Sequence, residues 1–238
     1  MLAQLPEHLI TLAANEALAK ITSLSEGEDV MALLAIASWR GLDGMARAQE
    51  QTRQRGDELL VLQAALAQWG NDLDALLPLP HTVPLDWDGQ VLRLTRKTSA
   101  AVDNGALIVA WSRRNVDGRS QWVRWQSLPA RTVSEWNDAW NQAAQWGRNP
   151  SSDQMRRETV LIPLDLWRVY YYRSNAWTNP QSSDQGDDDG SSVGSDGNPV
   201  LPNVPDGIRI ELTLPPGRAL NGVMTVDWVN PLRSNSRS

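Results

Sequence analysis

Cysteine and phenylalanine are both missing from this sequence, and histidine occurs only twice. Without cysteine there is no disulfide, no thiolate zinc site and no cysteine nucleophile, while the compartment stays open because disulfide-free periplasmic proteins are ordinary. His8 sits near a terminus and His81 in a Pro-rich turn, so a Ser-His-Asp arrangement or a multi-histidine metal site has almost no material. Long apolar runs are missing too. The run from Val30 to Ala37 falls far short of the roughly 20 residues that span a bilayer, and residues 1 to 24 lack the basic and apolar regions of a signal peptide. A formal net charge of -6 disfavours nucleic acid and anionic membrane surfaces as partners. There is no phosphate-binding glycine loop, no G-x-S-x-G elbow and no recognisable carboxylate pair. The chain is therefore expected to be no enzyme and to carry no catalytic residue, cofactor or metal.

What is present is tryptophan, twelve residues of it against three tyrosines. These read first as core and edge residues of a β domain; a platform for sugars or proteins is the other reading. The clearest local signal is a stripe at alternating spacings of three and four, Met45, Ala48, Thr52, Arg55, Leu59, Leu62, Leu66, Trp69, Leu73 and Leu76, which predicts one long helix ended by Pro78 and Pro80. From Leu42 to Leu77 it would run about 50 Å. Only its later part is greasy enough to pack: Leu59, Leu62, Leu66, Trp69, Leu73 and Leu76 are expected to hold it on a sheet. A coiled coil is the competing reading, but few heptads are well filled.

From residue 85 the period becomes two. "QVLRLTR", "GALIVAWSRR", "SQWVRWQSL", "ETVLIPL", "LWRVYYYR", "GIRIELTLP" and "GVMTVDWVNP" read as strands, with Asp117-Gly118 as a tight hairpin turn. "TVSEWNDAWNQAAQW" reads as a helix opened by a Thr132/Glu135 capping box. The tract from 181 to 199, with Asp184, Asp187, Asp189 and Asp196, has oxygen ligands for calcium but no EF-hand spacing, and reads as a solvated loop. The predicted fold is α+β: an atypical segment at 1–29, either helical or a replaced leader, a long helix at 30–80, an antiparallel β domain at 81–231 with a short helix at 132–146 and the acidic loop at 181–199, and a tail at 232–238.

A long amino-terminal helix feeding a Trp-rich antiparallel domain is the layout of type IV pilin-like proteins. "SWRGLDGMARAQEQTRQR" and "LLVLQAALAQWGNDLDAL" resemble the helix of J-type minor pseudopilins of the bacterial type II secretion system, where an aromatic followed by Arg-Gly-Leu leaves the membrane. "LDLWRVYYYRSNAWTNP" is similar to that family's late strand and turn, and "VPDGIRIELTLPPG" to its closing strand. The resemblance covers roughly residues 31 to 231. It implies a structural subunit of the inner membrane and periplasm that joins I-type and K-type minor pseudopilins at the tip of a pseudopilus and helps export folded proteins. Trp39 and Arg40 would mark the membrane exit, with Trp39, Leu42 and Met45 as the partner interface.

Family members begin with a basic leader, a Gly-Phe-Thr-Leu-x-Glu cleavage site and a full membrane helix, none of which is found here. Residues 1 to 29 are therefore expected to replace a native leader, which would leave the product soluble. A minor pilin of a type IV pilus shares the same plan. A carbohydrate-binding module would need several exposed, coplanar Trp rings, whereas the pilin reading predicts Trp69, Trp111, Trp125 and Trp167 buried.

Overall fold

The computed structural model of the chain describes residues 26–98, 105–181, 204–218 and 220–231. The acidic tract, with its four candidate aspartates, and nearly all of the atypical amino-terminal segment lie outside the described residues. Among the described residues helix α1 (Glu26–Asp74) comes first. Nine strands and two further helices follow: β1 (Leu85–Trp87), β2 (Val91–Lys97), β3 (Ala106–Val116), β4 (Arg119–Gln126), α2 (Val133–Arg148), α3 (Ser152–Met155), β5 (Glu158–Pro163), β6 (Leu166–Arg173), β7 (Ala176–Thr178), β8 (Gly207–Leu214) and β9 (Gly222–Val229). The chain divides after Gly56 into two compact units.

The first unit is helix as far as it is described. Its side chains from Met31 to Gly56 are exposed apart from half-buried Ala32 and Ile36. Local pairs support it: Arg47 meets Asp43 at 2.9 Å and Arg53 meets Glu50 at 3.0 Å, exposed contacts that add little.

In the second unit the strands form two antiparallel sheets, β1-β2-β3-β4-β5 and β7-β6-β8-β9. One expected β domain thus becomes two sheets, and the chain changes sheet within a single peptide step. The Leu164 N–H donates to the Ser120 carbonyl of the first sheet and the Asp165 N–H to the Thr213 carbonyl of the second. The β3–β4 hairpin turns at Asp117 (φ 50°) and Gly118 (φ 75°), two left-handed residues that match the right-handed twist of the flanking strands. Ser174 (φ 48°) and Asn175 (φ 67°) do the same for β6 and β7. Two short elements, β1 and β7, had no run of alternating residues long enough to announce them.

The first sheet is covered on both faces. Leu92, Leu94, Val109, Trp111 and Trp122 join the core shared with α1 and the second sheet, while Val91, Ile108, Ala110, Val123 and Trp125 meet α2. That is why "ALIVAW" in β3 is apolar throughout rather than alternating. Thr132 caps α2 as its spacing with Glu135 predicted, in a complete capping box. At the other end Gly147 lies so close to β2 that a Cβ there would sit 2.0 Å from Val91 Cγ2; any side chain would lift α2 off the sheet.

Tryptophan takes the part phenylalanine usually shares. Trp87 and Trp122 both contact Trp167 across the two sheets, at centroid distances of 4.8 and 6.1 Å. Ten of the twelve are buried, Trp69, Trp111, Trp125 and Trp167 among them. Trp39 is exposed and Trp177 is half-buried, so the several exposed, coplanar rings of a sugar platform are not there.

Candidate functional site

The carboxyl end of α1 is fixed by carboxylates as much as by grease. Asp72 is fully buried and gathers donors from three directions. Trp111 Nε1 reaches it at 3.0 Å, Arg124 binds both oxygens at 2.7 and 2.9 Å, Gln68 donates at 3.0 Å and Arg96 completes the set. Two residues on, Asp74 accepts from Trp228 Nε1 at 2.8 Å. One aspartate ties the helix to β2, β3 and β4 of the first sheet, and the other ties it to β9 of the second. Charge-assisted bonds of this kind are directional and roughly twice as strong as neutral ones, so they set the position of the helix on the sheets. Glu158 plays a similar part for α2, accepting from Trp146 Nε1 at 2.7 Å and from Arg114.

Sequence reasoning placed the packed stripe of α1 slightly off its true line. Leu62, Trp69, Leu73 and Leu76 are buried and Leu66 is half-buried against the core. Leu59 is 40% exposed, so the contact with the sheets begins one turn later than its spacing predicts. The buried face extends from Trp69 to Ala65 and Asp72 on one side, and Leu59 and Leu66 lie on its opposite shoulder. Alanine and aspartate carry no weight in a search for large apolar residues, which shifted the apparent stripe. The helix also stops earlier than the predicted 80, at Asp74. Beyond it the backbone pairs with β2: Leu77 N–H donates to Thr95 O and Lys97 N–H to Ala75 O, and the residue before Pro78 favours extended backbone.

The proposed partner residues behave differently. Trp39, Leu42 and Met45 are 70%, 64% and 72% exposed, and Met31, Leu33 and Leu34 are exposed with them. Met31, Leu34, Leu42 and Met45 follow helical spacing along one side. No helix among the described residues is long and apolar enough to cross a membrane. Nearby, Arg53 and then Gln54 hydrogen-bond Glu50 and hold its carboxyl below the usual range.

Elsewhere in the second unit an apolar groove of about 400 Å³ is lined by Val61, Leu62, Val160, Ile162, Leu214 and Leu220, with the Arg218–Glu58 pair at its edge. Among the described residues no group of His, Asp or Glu is placed to hold a metal ion.

No protein-family model and no curated protein matches the sequence. A solved structure is similar to it: the crystal structure of the GspK-GspI-GspJ complex from the enterotoxigenic Escherichia coli type 2 secretion system, over 72% of this chain and 96% of that chain, at 16% identity and a TM-score of 0.42. Likeness at that level identifies neither a subunit type nor a function.

Proposed function

We propose that this chain is a structural subunit of the minor-pseudopilin kind, J-type, which works by assembling with I-type and K-type subunits at the tip of a type II secretion pseudopilus. The observation that carries the reading is the unpartnered apolar residues of α1. Met31, Leu34, Leu42 and Met45 are large, apolar and exposed along one side of a helix of 49 residues, with Trp39 exposed as well, and exposed apolar surface of this kind supports an interaction site. Trp39 with Arg40 is the pair expected where a helix leaves a membrane for water. The likeness of residues 38–76 to the family's helix supports the same subunit type and a location at the inner membrane and periplasm.

No chemistry is required of such a subunit, and its cargo would be moved by assembly. The test is to mix the full chain with the soluble domains of I-type and K-type minor pseudopilins and measure molar mass by light scattering on a size-exclusion column. A stoichiometric complex that Leu42→Asp with Met45→Asp abolishes is the expected result. Lack of association at high micromolar concentration would overturn the assignment.

A further inference from the structure

A strand at the edge of a sheet presents a row of unpaired backbone groups, and proteins blunt such edges with short strands, proline, bulges or charge. Three of the four edge strands here are blunted. β1 and β7 have three residues each, and β5 has a register shift opposite Trp122 and Val123 and ends at Pro163. β9 carries the single charge of Asp227 and none of the other devices. Its eight residues pair with β8 in unbroken register from Gly222 to Val229, and they include no proline, lysine or arginine. Among the described residues β9 pairs with β8 alone.

Its side chains alternate. Trp228 is buried and Met224 and Val226 pack against the core, while Val223, Thr225, Asp227 and Val229 are exposed. The two valines reach 70% and 68%. Just past the strand, Asn230 N–H donates to Asp206 O at 2.9 Å. By the two-residue repeat, the backbone of Met224, Val226 and Trp228 therefore faces β8, and that of Val223, Thr225, Asp227 and Val229 faces outward.

We propose that β9 pairs antiparallel with β9 of a second copy of this chain, about a twofold axis through Val226. In that register Val223 faces Val229 of the second copy and Thr225 faces Asp227, each contact occurring twice. The exposed valines cover one another, a hydroxyl meets a carboxylate, and about eight backbone hydrogen bonds join the two four-stranded sheets into one. Neighbouring registers are worse. Moving the axis to Asp227 opposes two carboxylates, and Arg209, bound to both oxygens of Asp227 at 2.7 Å, keeps that group ionised by holding its pKa down. Moving it to Thr225 sets Val223 against Asp227. A shift by one residue would put core-facing side chains opposite outward ones. The pairing does not depend on the pseudopilin reading, because it uses no residue of α1.

Since the chain has no cysteine, cross-linking tests the register directly. Val223→Cys with Val229→Cys in the full chain should give a covalent dimer under mild oxidation. The two positions are far apart within one strand, about 20 Å, so the bond can form only between copies. Val223→Cys alone should cross-link at least tenfold less, because in this register the residue does not meet its own twin. Thr225→Pro removes an outward N–H and leaves pairing to β8 intact; it should weaken dimerisation at least tenfold in sedimentation velocity, and Val229→Lys should do the same if the proline variant fails to fold. Equal cross-linking by the single and double variants, or a wild-type chain that is monomeric at high micromolar concentration, would overturn the proposal.

Discussion

Residues 31–56 and 57–74 of α1 are equally helical and both carry large apolar side chains, yet only the later stretch has buried residues, Leu62, Trp69 and Leu73 together with Ala65 and Asp72. Hydrophobicity does not separate them, since Met31, Leu34, Leu42 and Met45 are as greasy as the residues that pack. The difference is that the later stretch carries Asp72 and Asp74, each with an indole N–H aimed at it from a different sheet. In the earlier stretch Arg47 pairs with Asp43, Arg53 with Glu50, Ser38 with the Leu34 carbonyl and Thr52 with the Ala48 carbonyl, all within one turn. Apolar spacing makes a helix able to pack, and directional polar partners decide where it does.

Breaking the packed stretch at its polar centre should have the largest effect. Asp72→Ala leaves two guanidinium groups and an indole N–H without their shared acceptor, and should cost about 3–5 kcal/mol in urea unfolding. Next is Leu73→Ala, which opens a cavity beside them and should cost about 2–5 kcal/mol. Leu42→Ala, the matched change in the exposed stretch, should stay within about 0.5 kcal/mol. A cost for Leu42→Ala similar to that for Leu73→Ala would erase the contrast.

Smaller effects separate the tryptophans. Trp228→Phe and Trp125→Phe lose the same ring atoms, but only the first removes a hydrogen bond, to Asp74, so it should cost about 1 kcal/mol more, because the Trp125 Nε1 has no hydrogen-bond partner. Thermal unfolding of the two variants in parallel checks this. The smallest effect belongs to Glu50. Its pKa is lowered in the helix, so its contribution is fully present above the ordinary carboxyl pKa and lost as pH falls through the lowered value. Circular dichroism across the acid range should show a slight loss of helicity that Glu50→Gln removes, with the urea midpoint unchanged.

Much of this was legible in the residues themselves. Alternation located seven of the nine strands, Asp117-Gly118 gave the hairpin, and Thr132 with Glu135 gave the start of α2. The two sheets were not legible, because a strand's period says which face is apolar but not which strand lies beside it. Nor were the anchors: Asp72 and Asp74 look like an ordinary polar helix end until Trp111, Arg124 and Trp228 arrive from positions 39, 52 and 154 residues away. Trp39, Leu42 and Met45 were singled out as the large residues of the early helix, and all three are exposed.

α1 is held on the sheets by its carboxyl stretch, and the proposed function has its exposed amino stretch meet partners. Hydrogen exchange read by mass spectrometry along α1, with and without the I-type and K-type domains, tests it most directly. The expected result is strong protection at 62–74 in the lone chain, rapid exchange at 31–56, and slowing at 31–56 when the partners are added. Equal protection of both stretches in the lone chain, or partners that slow exchange only in the sheets, would contradict it.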